Sequence, residues 1–163
     1  MVFGPVLSPG GYLTQYHAML SAGFDPERML RRYTFLPGAW QHEKVVYQLL
    51  YGAADAGAVK FGDLERMEAE GKASVSDFRV IARSEPVPNC TFYALPHVDG
   101  TTAGRVREAL LRLSEGDFVE VKGERLNVLQ RDGVRGYVEA QDAEFDVLRK
   151  MAKAVNLPPY EKY

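Results

Sequence analysis

Ser8-Pro9-Gly10-Gly11-Tyr12 is the stretch whose residue types could do chemistry. A serine hydroxyl can cap a helix, and proline suits the first helical position because it has no N–H to leave unpaired. Two glycines let a ligand come close to the main chain. A helix start adds unpaired N–H groups and the positive end of the helix dipole. Those are the parts of an oxyanion site across residues 8–12, phosphate-like in the charge it would take. The same parts also build a capped turn that binds nothing, because strand–turn–helix corners recur in α/β folds.

Few other residues could join such a site. His42 falls in the first turn of a second helix, beside Glu43 and after Pro37-Gly38. A histidine there can donate to an anion held between two helix starts, or be an exposed first-turn residue. Lys60 ends an apolar stretch, at the end of a strand where open α/β sheets gather ligands. It could add positive charge or lie solvated. Asp55, in a run of small residues read as a buried strand, would need an internal hydrogen-bond partner. His17 reads as a packed or surface helix residue and His97 as a loop residue. There is no Gly-x-Ser-x-Gly, no His-Glu-x-x-His and no Gly-Lys-Ser/Thr loop, so no enzyme class is indicated. No spacing of ligands calls for a metal or cofactor.

Net charge narrows the partners. At −2 over 163 residues the chain lacks the basic footprint of a nucleic-acid binder. A local anion site remains allowed, since a helix start attracts anions whatever the net charge. The single cysteine, Cys90, excludes an internal disulfide and a cysteine-built zinc site. No apolar run is long enough to span a membrane, and no signal peptide precedes the first strand.

The positioning elements follow from pattern. Residues 2–7 read as a buried strand and residues 9–22 as the first helix, stopped at Gly23. Asp25-Pro26 opens a short helix, and residues 33–36 make a strand. Residues 40–51 form an amphipathic helix, residues 54–59 a strand, residues 62–70 a helix and residues 78–82 a strand. This alternation predicts an α/β fold with a mainly parallel sheet flanked by helices. Ser84-Glu85-Pro86-Val87-Pro88-Asn89 is an extended connector. Beyond it come a strand at residues 91–95 and a helix at residues 101–113. Residues 115–123 are weakly determined. One or two helical turns are read at residues 124–130, a loop at 133–138 and a last amphipathic helix at 146–155.

Several of these segments, in order, resemble the phosphate-, phosphite- and phosphonate-binding periplasmic proteins, the PhnD-like group of type II solute-binding proteins. That family carries an Asp-Pro-x-Ser-Thr-Ser-Gly-Tyr corner, then Gly-x-His-Asp/Glu, then Gly-x-x-Asp-Ala-Gly-Ala-Val. Here the corner is Gly4-Pro5-Val6-Leu7-Ser8-Pro9-Gly10-Gly11-Tyr12. The later matches are His42-Glu43 and Gly52-Ala53-Ala54-Asp55-Ala56-Gly57-Ala58-Val59. Leu64-Glu65-Arg66-Met67-Glu68-Ala69-Glu70-Gly71-Lys72 and Leu157-Pro158-Pro159-Tyr160 resemble the branch found as sensory domains of membrane histidine kinases.

The resemblance implies non-catalytic binding of a phosphorus oxyanion in the cleft of a two-lobed protein. Carried over by position, Ser8, Gly10, Gly11, Tyr12 and His42 would hold it, with Lys60 adding charge. It implies a periplasmic location and, as partner, an ABC permease or a histidine kinase. Residues 1–84 would be one ligand-binding lobe, 85–90 a hinge, and 91–163 a return segment of an incomplete other lobe. The family's N-terminal portion is not matched, so apolar surface on residues 91–163 would favour a homodimer. Pro9 and Gly10 replace a threonine and a serine of the family corner, removing donors worth about 1 kcal/mol or more each. Lys60 stands where the kinase branch often has arginine, which would lose a bidentate grip. These departures keep a second reading open: a scaffold or interaction domain that retains the fold without the ligand.

Overall fold

The computed structural model describes residues 1–38, 41–88, 91–129, 134–157 and 160, with only the backbone of Gln41. Readings that fall on Trp40, Asn89, Cys90, Gln130, Gly133, Pro158 and Pro159 lie outside them. The chain divides into two compact units, Met1–Val87 with Phe145–Tyr163, and Pro88–Glu144. The last helix groups with the first unit.

In the first unit the chain opens on β1 (Val2–Phe3), which pairs in parallel with β2 (Thr34–Phe35). Val2 also bridges Gly57 in parallel, with Val2 N–H donating to Ala56 and Ala58 N–H donating to Val2. β1 thus runs between the other two segments. It ends early for a chemical reason: Gly4 N–H donates to the Gly11 carbonyl, and Pro5 has no N–H to continue a ladder. Val6 and Leu7, read as strand, are consequently exposed turn residues.

A five-residue π-helical turn, Pro9–Leu13, runs straight into α1 (Thr14–Ser21). α2 (Pro26–Met29) is capped by Asp25, whose carboxylate accepts from Glu27 N–H. α3 (Gln41–Leu50) and α4 (Asp63–Ala69) follow. They are tied by Glu43, a mostly buried carboxylate that accepts from Arg66 at 3.0 Å and Lys72 at 3.3 Å. α6 (Asp146–Ala154) packs on α1 and on the turn before it, burying Met151.

The core of this unit is aromatic. Phe3 is fully buried, with the rings of Tyr12, Tyr33, Phe35 and Tyr16 at 5.2, 5.7, 5.9 and 6.3 Å. The edge-to-face pairs with Tyr12 and Tyr33 add to the simple burial of apolar area. The hydroxyls of Tyr16 and Tyr33 both donate to Glu27, which holds the Glu27 carboxyl below its usual range and pushes Tyr33 up to about 12.

Several expected strands are absent among the described residues. Residues 54–59 contribute only the bridge at Gly57, and residues 78–82 form no ladder, leaving Val80 and Ile81 exposed. Asp55 is exposed and needs no internal partner. The parallel sheet is accordingly smaller than the alternation predicts, although the α/β character stands.

The second unit contains α5 (Gly100–Arg112), capped by Asp99, and a hairpin of β3 (Phe118–Val121) and β4 (Glu124–Asn127). Residues 124–127, read as helical turns, are therefore strand. The cause is the two-residue loop Lys122-Gly123, in which both residues have positive φ, 54° and 82°. That is the twist a tight hairpin needs, and it pairs Val121 with Glu124 in antiparallel register. Residues 91–95, read as strand, form none, and Phe92, Tyr93 and Leu95 are exposed.

Candidate functional site

Ser8 has an extended backbone, φ −86° and ψ 117°, and its hydroxyl accepts from Gly11 N–H at 3.1 Å. Its carbonyl accepts from both Tyr12 and Leu13 at 3.0 and 3.2 Å, which opens the turn to π-helical width. Gln15 braces this corner: its side-chain amide donates to Gly10 O at 2.7 Å and to Val59 O at 3.2 Å. The turn is thereby fastened to the segment that carries Lys60. Sequence pattern did not single out Gln15, whose only signal is a polar residue on the side of α1 that faces the turn.

His42 enters from the first turn of α3. Its Nδ1 accepts the main-chain N–H of Lys60 at 3.2 Å, so the neutral ring carries its proton on Nε2. The two glycines make room for these neighbours. A Cβ at Gly11 would lie 3.2 Å from His42 Cε1 and 3.0 Å from Ser8 Oγ, and one at Gly10 would lie 3.4 Å from Lys60 Cβ. Ser8, Gly10, Gly11, His42 and Lys60 therefore converge. Tyr12 does not join them: its ring is buried against Phe3 and Phe35, and burial, then Glu27, raises its phenol pKa. Its main-chain N–H is spent within the turn.

Charge around His42 is mixed. Burial lowers its pKa, Asp63 opposes that, and Lys60 and Arg66 reinforce it. A folded value below the unfolded one means the unfolded chain binds the proton more readily. His42 thus works against the fold as pH falls below about 6.5, the unfolded value. Asp63 Oδ2 lies 3.8 Å from His42 Nδ1, is buried, and has no hydrogen-bond partner. Arg66 is spread over Asp63, Glu43 and Glu70 at 3.6, 3.0 and 2.9 Å. His17 lines a separate groove with Thr14, Arg83, Glu85 and Met151, and His97 is exposed. Among the described residues no group of three or more His, Cys, Asp or Glu side chains is arranged to hold a metal.

This corner falls within a longer match. Residues 1–145 match the family described as phosphonate-binding, the periplasmic substrate-binding protein of an ABC transporter. The chain belongs to that family. As a phosphonate-binding-family domain it is also similar to the tetrathionate sensor histidine kinase TtrS of Salmonella typhimurium, at 38% identity over 112 residues. That match takes in 62% of this chain and 18% of the kinase, so the chain spans less than a fifth of that relative. The sensor-domain branch anticipated from Leu64–Lys72 is the branch to which this relative belongs. The family is one of substrate binding, not turnover, and its described location is periplasmic. Among the described residues of this phosphonate-binding-family domain, no helix is long and apolar enough to cross a membrane.

Proposed function

We propose that the first unit binds a phosphorus oxyanion, phosphate, phosphite or phosphonate, at the Ser8–Gly11 helix opening, as the input domain of a sensor or the binding protein of an importer. The observation that carries this is the meeting of the His42 ring and the Lys60 segment with the Gly10-Gly11 main chain. A protonatable ring, a lysine and a helix start converging on two side-chain-free residues suit a small, multiply charged acceptor. The membrane partner would be a histidine kinase or an ABC permease, and the kinase relative favours the first.

Thermal unfolding with phosphate, phosphite, methylphosphonate, 2-aminoethylphosphonate, sulfate and tetrathionate tests the reading. A ligand at roughly a hundredfold over its dissociation constant should stabilise by about 2.7 kcal/mol, a shift of several degrees. The expected result is a shift with at least one phosphorus oxyanion, none with sulfate, and loss of that shift in His42→Ala. Tetrathionate alone acting would move the reading to sulfur oxyanions.

One observation favours the ligand-free scaffold instead. Gly11 N–H already donates to Ser8 Oγ, so one amide that could hold an anion is taken by the cap, while the Ser8 O–H keeps its donor. No shift with any of the six anions would select that reading.

The residues 91–163 expectation of a homodimer draws support from exposed Phe92, Tyr93, Leu95 and Val138 in the second unit. Sedimentation at high protein concentration should then show self-association, and a strictly monomeric species would remove the idea.

A further inference from the structure

The Asp63 carboxylate is oddly placed for a surface helix residue. It opens α4, where the helix dipole favours its negative charge. Its side chain is only 17% exposed, and Oδ2 is buried without a hydrogen bond. A buried orphan oxygen costs free energy unless another state of the protein gives it a partner. Arg66 lies 3.6 Å from the other oxygen, Oδ1, whereas the group recorded beside Oδ2 is His42 Nδ1, at 3.8 Å, and in the structure that nitrogen is an acceptor.

The two facts fit together as two states of one ring. While His42 is neutral, Nδ1 takes the Lys60 N–H and Asp63 Oδ2 waits without a hydrogen bond. If the ring gains a proton from solvent, Nδ1 can no longer accept. It then donates to Asp63 Oδ2, and the Lys60 N–H is released beside Gly10. We infer that Asp63 is a positioning residue of the oxyanion site, the counter-charge that lets His42 become imidazolium when an anion arrives and that frees the Lys60 amide for it. This rests on the oxyanion reading above. The charged groups that face the ring are Asp63 and Arg66 from α4 and Lys60 from the segment before it. Ser8 and Gly11, on the turn, bring no charge. Asp63 alone among these stabilises the protonated ring, and a bound dianion would outweigh Lys60 and Arg66.

The sign of the pH effect follows. Burial and the two cations hold the free ring neutral, so binding takes up a proton and affinity rises as pH falls towards the free ring's own titration.

The test is nitrogen NMR of the His42 ring, with and without methylphosphonate, in the unmodified chain and in Asp63→Asn. The ligand-free ring should show the Nε2–H form at neutral pH. Methylphosphonate should protonate Nδ1 at a pH where the free ring is neutral. Asp63→Asn should move the ligand-free titration of His42 to lower pH and weaken methylphosphonate by about tenfold or more. An unchanged His42 titration in Asp63→Asn, or an Nδ1 that stays bare in the complex, overturns the inference. If neither methylphosphonate nor inorganic phosphate binds, the oxyanion reading fails, while the ligand-free titration still decides whether Asp63 governs the ring. Should Asp63→Asn not fold, the Asp63 carboxyl carbon shift is followed in the unmodified chain. It must move as His42 titrates, and a flat response overturns the inference.

Discussion

Phe3→Ala is expected to destabilise the first unit by about 3–5 kcal/mol, the usual cost of emptying a buried phenylalanine site. Whole domains are stable by only about 5–15 kcal/mol, so this one change brings the unit to the edge of unfolding. The size follows from position. Phe3 has no exposed surface and touches four other aromatic rings that come from the turn, α1 and the β2 segment. None of those rings can collapse into the gap without leaving another partner. Urea unfolding measures the loss, and a cost below about 1 kcal/mol would mean that the aromatic cluster repacks and is not the core. The site should suffer with the fold, since Gly4, next in the chain, holds the Gly11 carbonyl.

Gly57→Ala is expected to cost about 1–3 kcal/mol, from overpacking. The added carbon would lie 2.5 Å from Val45 Cγ1, 2.8 Å from Leu49 Cδ1 and 3.3 Å from Val2 Cγ1. Val45 is fully buried and its branched side chain has little rotamer freedom, so α3 must move away from the bridge. That motion carries His42 on the same helix away from the Lys60 amide. The variant should therefore lose both stability, read by urea unfolding, and whatever oxyanion affinity the site has, read by calorimetry. An unfolding midpoint equal to that of the unmodified chain would show that α3 retreats freely.

The helices were legible in the residues because their causes are local. Ser8 and Asp25 announce helix starts, and each side chain accepts from a first-turn amide. Apolar spacing along residues 40–51 marks a buried face, and Val45 and Val46 are on it. Strands were less legible because pairing is decided by what lies alongside. Residues 78–82 and 91–95 have the composition of strands and no ladder among the described residues. The β3–β4 hairpin was missed because its signal is one glycine, Gly123, between charged residues. At the site, Ser8, the glycines, His42 and Lys60 were read by type and position and do come together. Tyr12 stands apart because its ring turns into the aromatic core, a direction that the residue types of the motif do not encode. Asp63 was invisible, since an acid in the first turn of a helix needs no reason beyond the dipole. Only the distance to His42 and the missing bond give it another.

The contact between Lys60 and His42 is made by the peptide, and that has a consequence for how this chain can diverge. The ring's resting tautomer is set by an atom that nineteen of the twenty amino acids supply identically. The side chain at position 60 can thus vary, to arginine or to a neutral residue, without changing which ring nitrogen rests bare, although a neutral residue removes one of the two cations that hold the ring neutral. Only proline there would erase the donor. The resting tautomer is written in the main chain of this residue and a local charge in its side chain, so related chains can change that charge while keeping the same bare nitrogen.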